Sequence, residues 1–85
     1  MADEASDPMK DLLEYLAREI VDEPDQVQVE LERDDRGVVL TLRVAKDDMG
    51  KVIGRSGRTA RAIRTVMKAA AVREGIRHVA VDIAD

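Results

Sequence analysis

In the stretch Lys51-Val52-Ile53-Gly54-Arg55-Ser56-Gly57-Arg58, two glycines frame an arginine and a serine, a grouping suited to holding an anion. Glycine has no Cβ, so the main chain at Gly54 and Gly57 can take a positive φ and let a ligand approach closely. A helix opening after Gly57 has first amides without internal partners, which carry partial positive charge. Arg55 brings a planar fork of donors and Ser56 a hydroxyl, both matched to phosphate oxygens. Lys51 and Arg58 strengthen the field around them.

Other chemistries find little support in the residues. The glycines at 50, 54 and 57 miss both the Gly-X-Gly-X-X-Gly dinucleotide fingerprint and the Gly-X4-Gly-Lys-Ser/Thr phosphate loop. His78 is the sole histidine and there is no cysteine, so no thiolate metal site or disulfide framework is expected. Asp3, Glu4, Asp7, Asp11 and Glu14 read as solvated or helix-dipole-favoured charges rather than a catalytic pair. No enzymatic activity and no cofactor are expected.

Charge divides the chain. Met1 to Asp48 holds 6 Lys or Arg against 15 Asp or Glu, a balance of -9, whereas Met49 to Asp85 holds 8 against 3, a balance of +5. From Met49 to Val72 there is no acidic residue, while Lys51, Arg55, Arg58, Arg61, Arg64 and Lys68 are basic. One surface suited to a polyanion and another kept clear of it is the arrangement this implies, despite the overall charge of -4. Tyr15 is the only aromatic residue, which counts against modules that stack bases on aromatic rings. No run approaches the roughly 18 apolar residues of a membrane span, and Met1 to Pro8 lacks the apolar centre of a signal peptide. A soluble, cytoplasmic protein is expected.

The elements that must position these residues follow from periodicity. With 85 residues the chain is one small domain, burying roughly 60% of its unfolded surface, and self-association would help stabilise it. Residues 1 to 7 read as a flexible acidic tail and 8 to 85 as the domain. Asp7 and Pro8 form an N-cap and first-turn pair, opening a helix with Met9, Leu12, Leu13, Leu16 and Ile20 at helical spacing up to Asp22-Glu23-Pro24. Val27, Val29 and Leu31, then Val38, Leu40, Leu42 and Val44, alternate around a turn at Asp34-Asp35-Arg36-Gly37, predicting a hairpin over 26 to 45. Asp47 is placed to cap a short helix through Ile53, which Gly54 would end in a left-handed conformation. A longer helix after Gly57 carries Ile63, Val66, Met67 and Ala70 on one side, with Arg61, Arg64 and Lys68 roughly opposite, and stops near Gly75. A last strand runs from about Arg77 to Ala84.

This order, helix-strand-strand-helix-helix-strand, with Val52-Ile53-Gly54-Arg55-Ser56-Gly57 between two helices, resembles a KH domain of the bacterial type II arrangement over residues 8 to 84. In its length and bare ends the chain is similar to the KhpA family of small bacterial RNA-binding proteins. That resemblance implies an α+β fold, a three-stranded mixed sheet packed on three helices. It implies a cytoplasmic RNA chaperone or post-transcriptional regulator, acting as a homodimer or as a heteromer with a second, larger KH-domain protein of the KhpB (Jag) type. A link to cell-wall synthesis and cell length in some bacteria also comes with it.

Carried onto these positions, Gly54, Arg55, Ser56 and Gly57 are the loop that clamps the backbone of about four nucleotides of single-stranded RNA. Lys51, Arg58 and Arg61 would reinforce it, Val52 and Ile53 would form an apolar groove wall, and base edges would be read from the strand side near Arg43. Rival readings stand beside this one. Gly-X-X-Gly between helices also serves as a plain turn with Ser56 as N-cap. A helix-turn-helix would send the basic helix into a DNA major groove. A protein-interaction subunit with negligible RNA affinity would use its aliphatic sheet and acidic first helix.

Overall fold

The structure, a computed structural model, describes residues 7–85; of the tail expected over residues 1 to 7, all but Asp7 lies outside the described residues. Asp7 is itself part of the fold. Its Oδ1 accepts from the amides of Met9 at 2.9 Å and Lys10 at 3.3 Å, and its other oxygen accepts from Arg33. The first helix, α1 (Pro8–Ile20), therefore starts at the cap read from Asp7-Pro8. It buries Met9, Leu13 and Ala17, one residue per turn, while Leu12, Leu16 and Ile20 are half-buried along its flank.

A 3-10 turn at Pro24–Gln26 leads into β1 (Gln28–Arg33), which pairs antiparallel with β2 (Gly37–Arg43). The turn between them is held by Asp34, whose Oδ1 accepts from Arg36 N at 2.8 Å and Gly37 N at 3.0 Å. The last strand, β3 (His78–Ala84), lies parallel to β2, giving a mixed sheet of order β1-β2-β3. At Gly37 a Cβ would meet the backbone of His78, so glycine there permits the close start of β3 as well as the turn. Between β2 and β3 run α2 (Met49–Ile53) and α3 (Arg58–Arg73). This is the α-β-β-α-α-β order and three-stranded mixed sheet of a type II KH fold.

All three helices cover one face of the sheet. Along β2 the inward positions Val38, Leu40 and Leu42 are buried, and they meet Val29 and Val81 from the flanking strands and Ile63, Met67 and Ala71 from α3. The opposite face carries Glu30, Arg43, His78 and Asp82. His78 is exposed, as its strand register requires. The shortest dimension of the molecule, 18 Å, is that of one sheet and one helix layer. Val66 departs from the helical-wheel expectation: it is 43% exposed, because Ala60 and Ala71, smaller residues, take the inner positions of α3.

Candidate nucleic-acid interface

The loop between α2 and α3 is built from three residues with positive φ. Gly54 adopts φ 76, ψ 172, Ser56 adopts φ 56, ψ 27, and Gly57 adopts φ 75, ψ 15. Gly54 is not in the left-handed helical region expected of a helix-ending glycine but in an extended positive-φ region open essentially to glycine alone. Its own amide closes α2 on the Gly50 carbonyl at 2.9 Å, and its carbonyl accepts from Gly57 N at 3.1 Å. Ser56 is the only described non-glycine residue with positive φ. Backbone strain is concentrated at this one turn.

The consequence is a bare, cationic helix start. The N-cap of α3 is Gly57, which has no side chain, so the alternative role for Ser56 as the cap of that helix is not the one the fold uses. Nothing lies within 4 Å of where a Cβ on Gly57 would be, leaving open approach to the main chain. Arg55, Ser56 and Arg58 are exposed around it. The amides of Gly57 and Arg58 are taken up by the Gly54 and Arg55 carbonyls, so the positive character of this helix start rests chiefly on two guanidinium groups beside a hydroxyl.

Next to this loop, α3 and β3 enclose a groove of about 530 Å³, lined by Ile53, Gly57, Ala60, Arg61, Arg64 and Ile83. One wall is apolar and the other carries two arginines. Arg64 Nε donates to the Val81 carbonyl at 3.1 Å, so this side chain is fixed across the groove and does not simply project from the helix. A smaller hollow of about 230 Å³ at the other end of β3 sets Asp34 and Asp35 beside Arg36 and Arg77, a mixed charge ill-suited to a polyanion.

The short α2 is anchored by a residue of the other sign. Asp48 is buried, and its two oxygens accept from the backbone amides of Asp22 at 3.2 Å and Glu23 at 3.1 Å, tying the exit of α1 to the start of α2. One turn on, Lys51 Nζ lies 3.2 Å from Asp22 Oδ2. The expected cap at Asp47 is therefore corrected: Asp47 is exposed, the N-cap position is Asp48, and its carboxylate serves a distant turn rather than its own helix.

Of the residues singled out by sequence, Gly54, Arg55, Ser56, Gly57, Arg58, Ile53 and Arg61 are brought together around the loop and groove. Val52 is not on that surface: it is fully buried in the core, so it holds α2 in place and forms no groove wall. Lys51 is on the loop's approach but paired with Asp22. Arg43 is also corrected as a groove residue. It lies on the uncovered sheet face, 3.7 Å from Glu30, while the groove's strand side is β3. Ala60, Ile83 and the Val81 carbonyl were not anticipated, whereas Arg64 was singled out with Arg61 and Lys68 on the basic side of α3 but given no partner. Arg61 and Arg64 are three apart, which sets both on one flank of α3, but nothing in their spacing names the strand they face.

Among the described residues no group of three or more His, Asp or Glu is placed to hold a metal ion, and no helix is long and apolar enough to cross a membrane. A family model described as KhpA/KhpB, KH domain, matches residues 10–83. Proteins named RNA-binding protein KhpA are similar over most of the chain. That of Clostridium acetobutylicum is 56% identical over 69 residues, 81% of this chain and 92% of that protein. The one from Streptomyces coelicolor is 53% identical over 77 residues, covering 91% and 92%. Its counterpart in Halalkalibacterium halodurans is 48% identical over 77 residues, covering 91% of this chain and all of that protein.

Proposed function

The chain belongs to the KhpA/KhpB family of KH domains, a family of RNA-binding proteins, and from that premise we propose that it clamps single-stranded RNA with the Gly54–Gly57 loop. The observation that carries this reading is the loop's backbone: positive φ at Gly54, Ser56 and Gly57 leaves the main chain at Gly57 open to approach between Arg55 and Arg58. A phosphate seated there meets the Ser56 hydroxyl and the Arg55 fork together, with Arg58 beside them. The strand then enters the α3–β3 groove, where Ile53, Ala60 and Ile83 take the flat faces of unstacked bases and Arg61 holds the next phosphate.

One such groove contacts about four nucleotides, so a single copy binds modestly, and a second KH domain on the same strand gains by effective concentration. In the cell we take the protein to be a cytoplasmic RNA chaperone or post-transcriptional regulator. It works as a homodimer or with a KhpB (Jag) type partner and bears on cell-wall synthesis and cell length. It binds RNA and does no catalysis in this reading.

Fluorescence anisotropy on labelled single-stranded RNA tests the clamp, comparing wild type with an Arg55→Asp/Ser56→Asp double variant at two salt concentrations beside thermal melts. Salt-sensitive binding that vanishes in a still-folded double variant supports it. Equal binding by both proteins moves the site away from the loop.

A further inference from the structure

Resting on the RNA-binding reading above, we propose that Arg64 determines base specificity, holding the free edge of β3 by its Nε and selecting with its terminal N–H groups the bases that present two adjacent acceptors, guanine and cytosine, over adenine. The argument starts from the strand. Among the described residues the sheet order leaves β3 paired on one side only, so half of its backbone groups face an unpaired edge. The sides alternate along a strand. Ala84 is on the β2 side, since its carbonyl accepts from Val44 N at 3.3 Å. Val81, three residues back, turns its N–H and C=O to the free edge, and that is where Arg64 Nε meets its carbonyl at 3.1 Å.

Without that arginine, the edge at Val81 would offer a base one donor and one acceptor side by side. This pair matches adenine, whose N1 accepts and whose amino group donates. Arg64 changes the pattern. It occupies the acceptor and replaces it with a guanidinium, which has five N–H donors and no acceptor. With Nε engaged, the end-on pair of terminal nitrogens remains to face the groove. Guanine, with O6 and N7 accepting side by side, satisfies such a fork, as does cytosine with O2 and N3, whereas adenine sets its own amino donor against it. The small Ala60 and the apolar Ile53 and Ile83 leave the space beside Arg64 to the ring. Arg61, with no such anchor to β3, acts on phosphate.

The test uses the full chain and short labelled oligouridylates carrying one central guanine, adenine or cytosine, so that the strand can slide until the odd base finds its place. Wild type, Arg64→Leu, Arg64→Lys and the Arg55→Asp/Ser56→Asp variant are titrated by anisotropy, each with a thermal melt. Wild type is expected to prefer the guanine and cytosine oligomers over the adenine one by about tenfold, the order expected of one bidentate contact. Arg64→Leu should lose that preference and shift towards adenine; Arg64→Lys, which keeps the charge but not the fork, should lose most of it. Should the leucine variant fail to fold, the lysine variant carries the test. The proposal is overturned if the Arg64 variants rank the bases as wild type does, or weaken all oligomers equally, even while the loop variant abolishes binding. If wild type binds none of the oligomers, the RNA-clamp reading falls and this one with it.

Discussion

Gly54 lies directly against Thr59: a Cβ on Gly54 would come within 2.8 Å of the Thr59 backbone nitrogen and closer still to its side chain. The loop's first glycine is thus required twice, once by its φ of 76 and ψ of 172 and once by the helix start packed on it. Gly57 is required only by its φ of 75, since the space beyond it is open.

That difference predicts unequal costs. Gly54→Ala should destabilise by about 3 kcal/mol or more, combining backbone strain with an overlap that only movement of α3 can relieve. Gly57→Ala should cost about 1 kcal/mol, the penalty of one left-handed residue. In a domain of this size each kcal/mol is about 4–8 °C in Tm, so the two melts should be clearly separated. Equal melts would mean that the Gly54–Thr59 packing does not govern the turn.

Asp48 predicts a second separation, between stability and fold. Asp48→Ala leaves the amides of Asp22 and Glu23 without their acceptor and should cost about 2–3 kcal/mol. Asp48→Asn keeps one accepting oxygen and should cost about half as much. Because α2 carries the loop, RNA affinity measured well below the melting temperature should fall in the alanine variant more than in the asparagine variant. Unchanged affinity in both would show that the loop is positioned without this anchor.

How far such features could be read in advance depends on who their partners are. The cap at Asp7, the Asp34–Gly37 turn and the hairpin were all legible, because each rests on residues near in sequence or on a period; on α3 the period found Ile63 and Met67 but set the inner face too far round, towards exposed Val66. The partners of Asp48 and Arg64 were not legible. Both residues bond to backbone groups of distant segments, and a backbone amide or carbonyl leaves no mark in the sequence. Val52 was misplaced for a related reason: beside a ligand loop, an aliphatic pair reads equally well as wall or as core. Only the packing of α2 separates buried Val52 from half-exposed Ile53. Likewise the glycine spacing announced a positive φ at Gly54, but not which positive-φ region.

Lys51 and Asp22 form an exposed pair at 3.2 Å, with the Lys51 side chain 45% exposed and that of Asp22 74% exposed, so its contribution to stability is small. Its effect on ligand binding should be larger. Asp22→Asn keeps the backbone amide that Asp48 holds, yet frees Lys51 and removes a negative charge near the loop. The melt should move by no more than about 0.5 kcal/mol, while RNA affinity at low salt should rise about twofold. A fall in affinity would indicate that Asp22 is needed to aim Lys51.

The charge division of the chain leads to the last prediction, which concerns the path of the RNA. On a single strand, each phosphate neutralised contributes about 0.7 to the slope of log affinity against log salt. A strand passing Arg55, Arg58 and Arg61 should therefore show a slope of about -2. Arg55→Gln and Arg61→Gln should each reduce that slope by about 0.7 without altering base ranking, as expected of phosphate contacts. Arg77→Gln provides the contrast. Arg77 lies in the mixed-charge hollow beside Asp34 and Asp35, beyond the far end of α3 from the loop. Its removal changes the overall charge as much as the others do, so a slope left unmoved by Arg77→Gln would tie the salt effect to the groove rather than to net charge. An equal reduction from all three would instead assign the attraction to the diffuse field of the basic half.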